Sequence, residues 1–131
     1  MANPNIVAVT NILGGNLGWN LSATTTATLM EVASEKIVKI NRITVANVDT
    51  SSAANVFLFV DGLTTAGADG ISPTGASATV YLAKEIAVPA DSTLVLVNTP
   101  IYLMEGDLLK GGASAAGDLD LFISYEVLDD A

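Results

Sequence analysis

TVYLAKEIAVPADSTLVLVNTPIYLMEGDLLKGGASAAGDLDLFISYEVL, residues 79 to 128, decides the fold. Short runs rich in β-branched and aliphatic residues are separated by punctuation at Pro89-Ala90-Asp91, Asn98-Thr99-Pro100, Glu105-Gly106-Asp107 and Gly111-Gly112. The last run alternates most cleanly. Leu119, Leu121, Ile123, Tyr125 and Val127 fall on one parity, and Asp118, Asp120, Ser124 and Glu126 on the other, with Phe122 the apolar exception. A period of two sets one face of a sheet on a core and the other toward water. Runs of this length, each closed by Pro, Gly, Asn or Asp, predict antiparallel all-β structure.

The same reading extends toward the N-terminus. Ala54 to Val60, ANVFLFV, is apolar on both parities and predicts a central strand. Before it, residues 37 to 48 are dense in Ile and Val, and the apolar parity shifts between Ile40 and Ile43. Such a shift requires a bulge, or half the strand would turn its apolar side outward. Thr24, Thr25, Thr26 and Thr28 favour a strand over residues 21 to 32, with a turn at Ser34-Glu35-Lys36. A helix over residues 28 to 39 competes, and the β-branched density that follows decides against it. Ile6 to Ile12 reads as a first strand, and Gly14, Gly15 and Gly18 predict a loop carrying Trp19. Residues 1 to 5 are expected to form an extended arm, because Pro4 has no amide hydrogen to give a ladder. Residues 62 to 78 read as a long exposed loop, of a length that is usually functional. The sum is one domain over residues 1 to 131, with eight or nine strands.

Composition narrows the function. Half of the 131 residues are apolar and 15% are charged, against a usual charged share of about 25%. Fourteen acids, five bases and no histidine leave a net charge of −9. Lys36, Lys39 and Arg42 form the one basic cluster, too little to neutralise a phosphate backbone or an anionic membrane surface. Neither nucleic acid nor membrane is expected as a partner. There is no cysteine, no apolar run near the roughly 20 residues of a spanning helix, and no signal-peptide pattern in MANPNIVAV.

Without imidazole or thiol, the commonest catalytic bases and nucleophiles are missing. Asp118 and Asp120 share a strand face and could in principle form a carboxylate pair. Between a glycine-containing turn and a polar edge, they are expected to solvate the sheet. Asp61, Asp69 and Asp107 offer oxygen of the kind calcium takes, but lack EF-hand spacing and fit turn aspartates better. The expectation is a protein without enzymatic activity, cofactor or metal. A sugar-binding module using residues 62 to 78 is a weaker alternative, since that loop has no aromatic ring to stack on a sugar.

MANPNIV, TTTAT, KINRITVANVD, LAKEIAVPADSTLVL, PIYLMEGDLL and DLDLFISYEVL, spread over most of the chain, together resemble a set of small β-rich virion proteins of tailed bacteriophages, marine and cyanobacterial ones among them. The loop at 62 to 78 departs from that pattern as an insertion. The resemblance implies a jelly-roll-like or related β-sandwich, located in the virion after synthesis in the host cytoplasm. It implies a structural role, as a capsid decoration (cement) protein bound to the major capsid protein, or as a neck, tail or head-fibre part. Symmetric closure on a shell lattice suggests a homotrimer. The candidate contact residues are Asn5, Ile6, Val7 and Val9 of the arm, with Leu17 and Trp19 of the glycine-rich segment.

Overall fold

Leu119–Asp129, the cleanest run in the sequence, is the spine of the first of two sheets. The computed structural model describes residues 8–63 and 71–129. Its strands are β1 (Asn11–Asn20), β2 (Ala27–Glu31), β3 (Lys36–Asn47), β4 (Ala54–Asp61), β5 (Val80–Val88), β6 (Thr93–Val97), β7 (Ile101–Leu103), β8 (Leu108–Ala113) and β9 (Leu119–Asp129). The first sheet runs β1-β9-β3-β6, with β7 also paired to β3, and the second runs β2-β8-β4-β5. All pairings are antiparallel. Chain order crosses between the sheets at every connection except β4 to β5 and β6 to β7. The result is the all-β sandwich expected from the alternation, with nine strands and no α-helix among the described residues.

One core lies between the sheets. Leu119, Leu121 and Ile123 of β9 are buried there beside Ile40, Ile43 and Val45 of β3, and Val56 and Leu58 of β4 face them from the second sheet. Tyr125 and Val127 continue the same parity and pack partly against the cluster. Burial at roughly 1.5–3 kcal/mol per large side chain makes this seam the main favourable term. β4 is a central strand, paired with β5 and β8, and on its outward parity Phe59 is buried against the Tyr81 ring of β5, centroids 4.9 Å apart. The bulge required by the parity shift lies between Ile40 and Arg42. Asn41 is the extra residue, and its amide donates to Glu126 Oε1 at 3.3 Å.

Several turns form as their residues dictate. Gly106 takes φ +85°, and Asp107 and Met104 exchange hydrogen bonds across the turn, N–H to C=O at 3.0 Å and N–H to Oδ2 at 2.8 Å. Ser92 N–H donates to Pro89 C=O at 3.2 Å, closing the turn between β5 and β6. Of the loop expected at 62 to 78, residues 71–78 are exposed, and residues 64–70 lie outside the described residues.

Three expectations are corrected. The Gly14–Gly18 segment is not a loop: it is the middle of β1, in unbroken register with β9 from Asn11↔Asp129 to Asn20↔Asp120. A Cβ on Gly15 would sit 2.7 Å from Cζ of Tyr125, so any larger residue there would have to displace that ring. The first strand therefore begins at Asn11 and does not cover residues 8 to 10. Gly111 and Gly112 do not end a strand but lie inside β8. A Cβ on Gly111 would strike the Phe57 carbonyl oxygen, and one on Gly112 the Thr24 carbonyl oxygen. Finally, Thr24–Thr26 is a turn, with Ala27 N–H donating back to Thr24 C=O at 3.4 Å, and β2 begins only at Ala27.

Candidate functional site

The acidic side chains are where a reaction centre would be sought, and the described ones that form polar contacts hold turns in place or tie one strand to another. Asp61 accepts from Thr79 Oγ1 at 2.6 Å, from Lys110 Nζ at 2.9 Å and from Gly62 N–H at 2.9 Å. These three, in that order, hold its carboxyl at about 2, well below the usual range. Asp49 caps the β3–β4 turn by accepting from the Ser51 and Ser52 N–H groups and the Ser51 hydroxyl, which lowers its pKa in the same way. Asp107, 3% exposed, is pushed the other way by burial, and the Met104 N–H offsets part of that rise. Asp120 accepts from Asn20 Nδ2 at 2.7 Å, which ties β1 to β9. Asp129 pairs with Lys36 at 2.8 Å. Among the described residues no group of three or more acids could hold a metal ion.

Asn47 plays a similar structural part. It is 3% exposed, and its amide donates to Val88 C=O at 2.8 Å and Ser52 C=O at 3.0 Å, while its oxygen accepts from Asp49 N–H at 2.9 Å. The turn after β3 is thus stitched to the end of β5. No buried side-chain polar atom among the described residues lacks a partner.

What remains unexplained by folding is apolar surface. On the outer face of the first sheet, register sets Gly18, Phe122, Thr44 and Val95 in one row across four strands. Phe122 is 48% exposed, and Val95 is also exposed. A second row places Gly14, Glu126, Lys39 and Tyr102 side by side, and Tyr102 is 48% exposed. Arg42 lies between the rows, opposite Ser124. Neither Lys39 nor Arg42 is within ion-pair distance of a described acid. A shallow depression of about 340 Å³ opens beside Phe122, walled by Gly18, Trp19, Asn20, Asp120 and Leu121. Large apolar side chains exposed on one sheet face are where contact with another macromolecule would be sought.

Of the six contact residues expected from sequence, Asn5, Ile6 and Val7 lie outside the described residues. Val9 is half-buried just before β1. Leu17 is on β1 and exposed. Trp19 is on β1 rather than in a loop, and its ring packs partly against the core. The structure brings Leu17 and Trp19 onto one face of one strand, and adds Phe122, Val95 and Tyr102 on the opposite face of the sheet. Phe122 was visible in the sequence as the apolar side chain on a polar parity. Val95 and Tyr102 carried no such mark, because short strands show too few residues to separate inward from outward.

Comparison of the chain with models of protein families, with curated proteins and with solved structures finds no match.

Proposed function

We propose that the chain is a structural protein of a virus particle, a decoration protein that binds the outer shell of a tailed phage and stabilises it. The observation that carries this is the outer face of the first sheet, where Phe122, Val95 and Tyr102 stand exposed on one antiparallel sheet. Tyr, Phe and Arg on a rigid sheet are the residue types that anchor protein interfaces, and Arg42 lies in their midst. A shell repeats one contact many times, so a modest patch suffices when many copies act on one lattice.

Two further points favour this reading. With the three-residue β7 set aside, the sheet orders β1-β9-β3-β6 and β2-β8-β4-β5 fit the doubly wrapped Greek keys of a jelly roll, an architecture used in viral capsid and lectin domains. Fold alone assigns no function. The net charge of −9 also keeps the surface from sticking to packaged nucleic acid.

The test is retention on expanded heads that lack the protein. Purified chain should cosediment with them and saturate at a stoichiometry set by the shell lattice. Phe122→Lys and Tyr102→Lys should release it without loss of β-sheet signal. Failure of the wild-type chain to bind heads would refute the proposal. Saturation at only a few copies per particle would assign it instead to the neck, tail or a head fibre.

A further inference from the structure

The edges of the two sheets are not alike. β2 has five residues, ends in Glu31 and shifts register between Thr28 and Met30. β5 carries Lys84 and Glu85, has Glu85 at φ +54°, and shifts twice against β4. The far edge of the first sheet is split between five-residue β6, itself shifted, and three-residue β7. Short length, charge and bulges are the devices by which soluble proteins blunt an edge against strand addition. β1 has none of them. It is ten residues long, uncharged, and among the described residues paired without a shift to β9 alone.

Backbone directions at this edge follow from two hydrogen bonds. Leu21 N–H donates to Leu119 C=O at 2.8 Å, and Val48 N–H to Asp118 C=O at 2.8 Å. Stepping by two along an antiparallel ladder, the odd residues of β1 direct their backbone groups at β9. Ile12, Gly14, Asn16 and Gly18 direct theirs away from it, at the open edge. The side chains obey the other alternation. Leu13 and Leu17 share the core-facing parity with Val127 and Ile123, yet they are 57% and 39% exposed, because nothing in the second sheet reaches out to cover them.

We propose that β1 is a self-pairing edge: two copies of this chain join their β1 strands antiparallel about a two-fold axis at Gly15, fusing their first sheets into one. The occupant is argued from the strand itself. Residues 13 to 17 read LGGNL, so with Gly15 opposite the partner's Gly15, Leu13 falls opposite the partner's Leu17 and Leu17 opposite the partner's Leu13. The leucines then form two cross-strand pairs on one face, one on each side of the paired Gly15 residues. In the same register Gly14 faces the partner's Asn16 and Ile12 the partner's Gly18, giving about eight ladder hydrogen bonds at two per closely spaced pair. A slip of one residue would set leucines opposite residues of the wrong parity and lose both pairs. The Tyr125 ring already covers Gly15 on this face, so the apolar surface is continuous from Leu13 to Leu17.

Charge points to the same occupant. A chain of net charge −9 repels its copies over most approaches, and β1 offers ten residues with no charge to repel. Edge pairing covers less than the roughly 800 Å² per partner of a standard interface, so the pair is concentration-dependent. This two-fold contact is distinct from the three-fold ring expected from lattice symmetry. It belongs to the isolated chain, whatever the chain binds.

Sedimentation equilibrium of the full chain tests it. The mass should rise from one chain to two with increasing concentration. Leu13→Lys with Leu17→Lys, and separately Asn16→Pro, should each weaken association at least about tenfold, or 1.4 kcal/mol. Asn16→Pro removes an outward N–H while sparing the bonds to β9, as edge strands tolerate. Ile86→Lys, exposed on the edge strand β5 of the second sheet, should leave association unchanged. The chain has no cysteine, so cross-linking reads the register without background. Leu13→Cys mixed with Leu17→Cys should form disulfide-linked pairs under mild oxidation, and either variant alone should not. A wild-type chain that stays single, a three-chain mass untouched by the lysines, or equal cross-linking in the unmixed variants would overturn the proposal.

Discussion

Two glycines in strands should respond to the same substitution with opposite signs. Gly111→Ala places a Cβ against the backbone of the neighbouring central strand β4, in contact with the Phe57 carbonyl oxygen, 3.0 Å from its carbon and 3.1 Å from the Leu58 Cα. No side chain can swing aside, because all three atoms are backbone. Overpacking a filled site costs about 1–3 kcal/mol, sometimes more, and a backbone neighbour puts this case at about 3. Lower entropy of the unfolded chain returns about 0.4–1 kcal/mol, for a net loss of about 2–3. At this chain length each kcal/mol shifts Tm by roughly 3–4 °C, so Tm should fall by about 6–12 °C. Gly14→Ala meets nothing within 4 Å and its φ is not positive. Only the unfolded-state gain applies there, raising stability by about 0.5 kcal/mol and Tm by about 2 °C. Thermal and urea unfolding should be run at several protein concentrations, so that any pairing through β1 is separated by mass action. A Gly111→Ala protein within about 0.5 kcal/mol of wild type, or a Gly14→Ala protein as damaged as Gly111→Ala, would refute the close-approach account of β8, since surface changes fall in that narrow range.

Asn47→Ala removes three hydrogen bonds, one of them fully buried; a loss of about 2–4 kcal/mol in urea unfolding is expected. Asp107 carries a carboxyl whose pKa burial raises, so the folded state holds its proton more tightly than the unfolded state. Its charge is a penalty that grows as pH rises through the unfolded pKa toward the folded one, and acid relieves it. Asp107→Asn keeps an acceptor for the Met104 N–H, so its urea midpoint relative to wild type should be higher at pH 7 than at pH 3. Equal differences at both would contradict the burial effect. Asp61 has the opposite sign: its contribution is present above the usual carboxylate pKa and is lost as pH falls through about 2. Thr79→Val removes the largest cause of that depression, and carbon-detected NMR titration of Asp61 should move up toward roughly 3.9.

Where local pattern carries the information, the chain's own residues determined the structure. Alternation in β9, a doubly apolar β4, the parity break near Ile40 and the turn chemistry of Pro89–Ser92 and Glu105–Asp107 were all legible, because each depends on side chains a few positions apart. Glycine was the point where legibility failed. Gly14, Gly15, Gly18, Gly111 and Gly112 look like loop residues, since an absent side chain has no parity. Only pairing with β9, the ring of Tyr125, and the backbones at Phe57 and Thr24 decided that all five lie in strands. The same holds for the candidate surface. Composition already implied that apolar side chains are left over, but which ones remain uncovered is set by strand order and by how far one sheet overhangs the other. Leu13 and Leu103 look alike in sequence. Leu103 is buried because β7 lies on β3 over the core, and Leu13 is exposed because β1 ends its sheet.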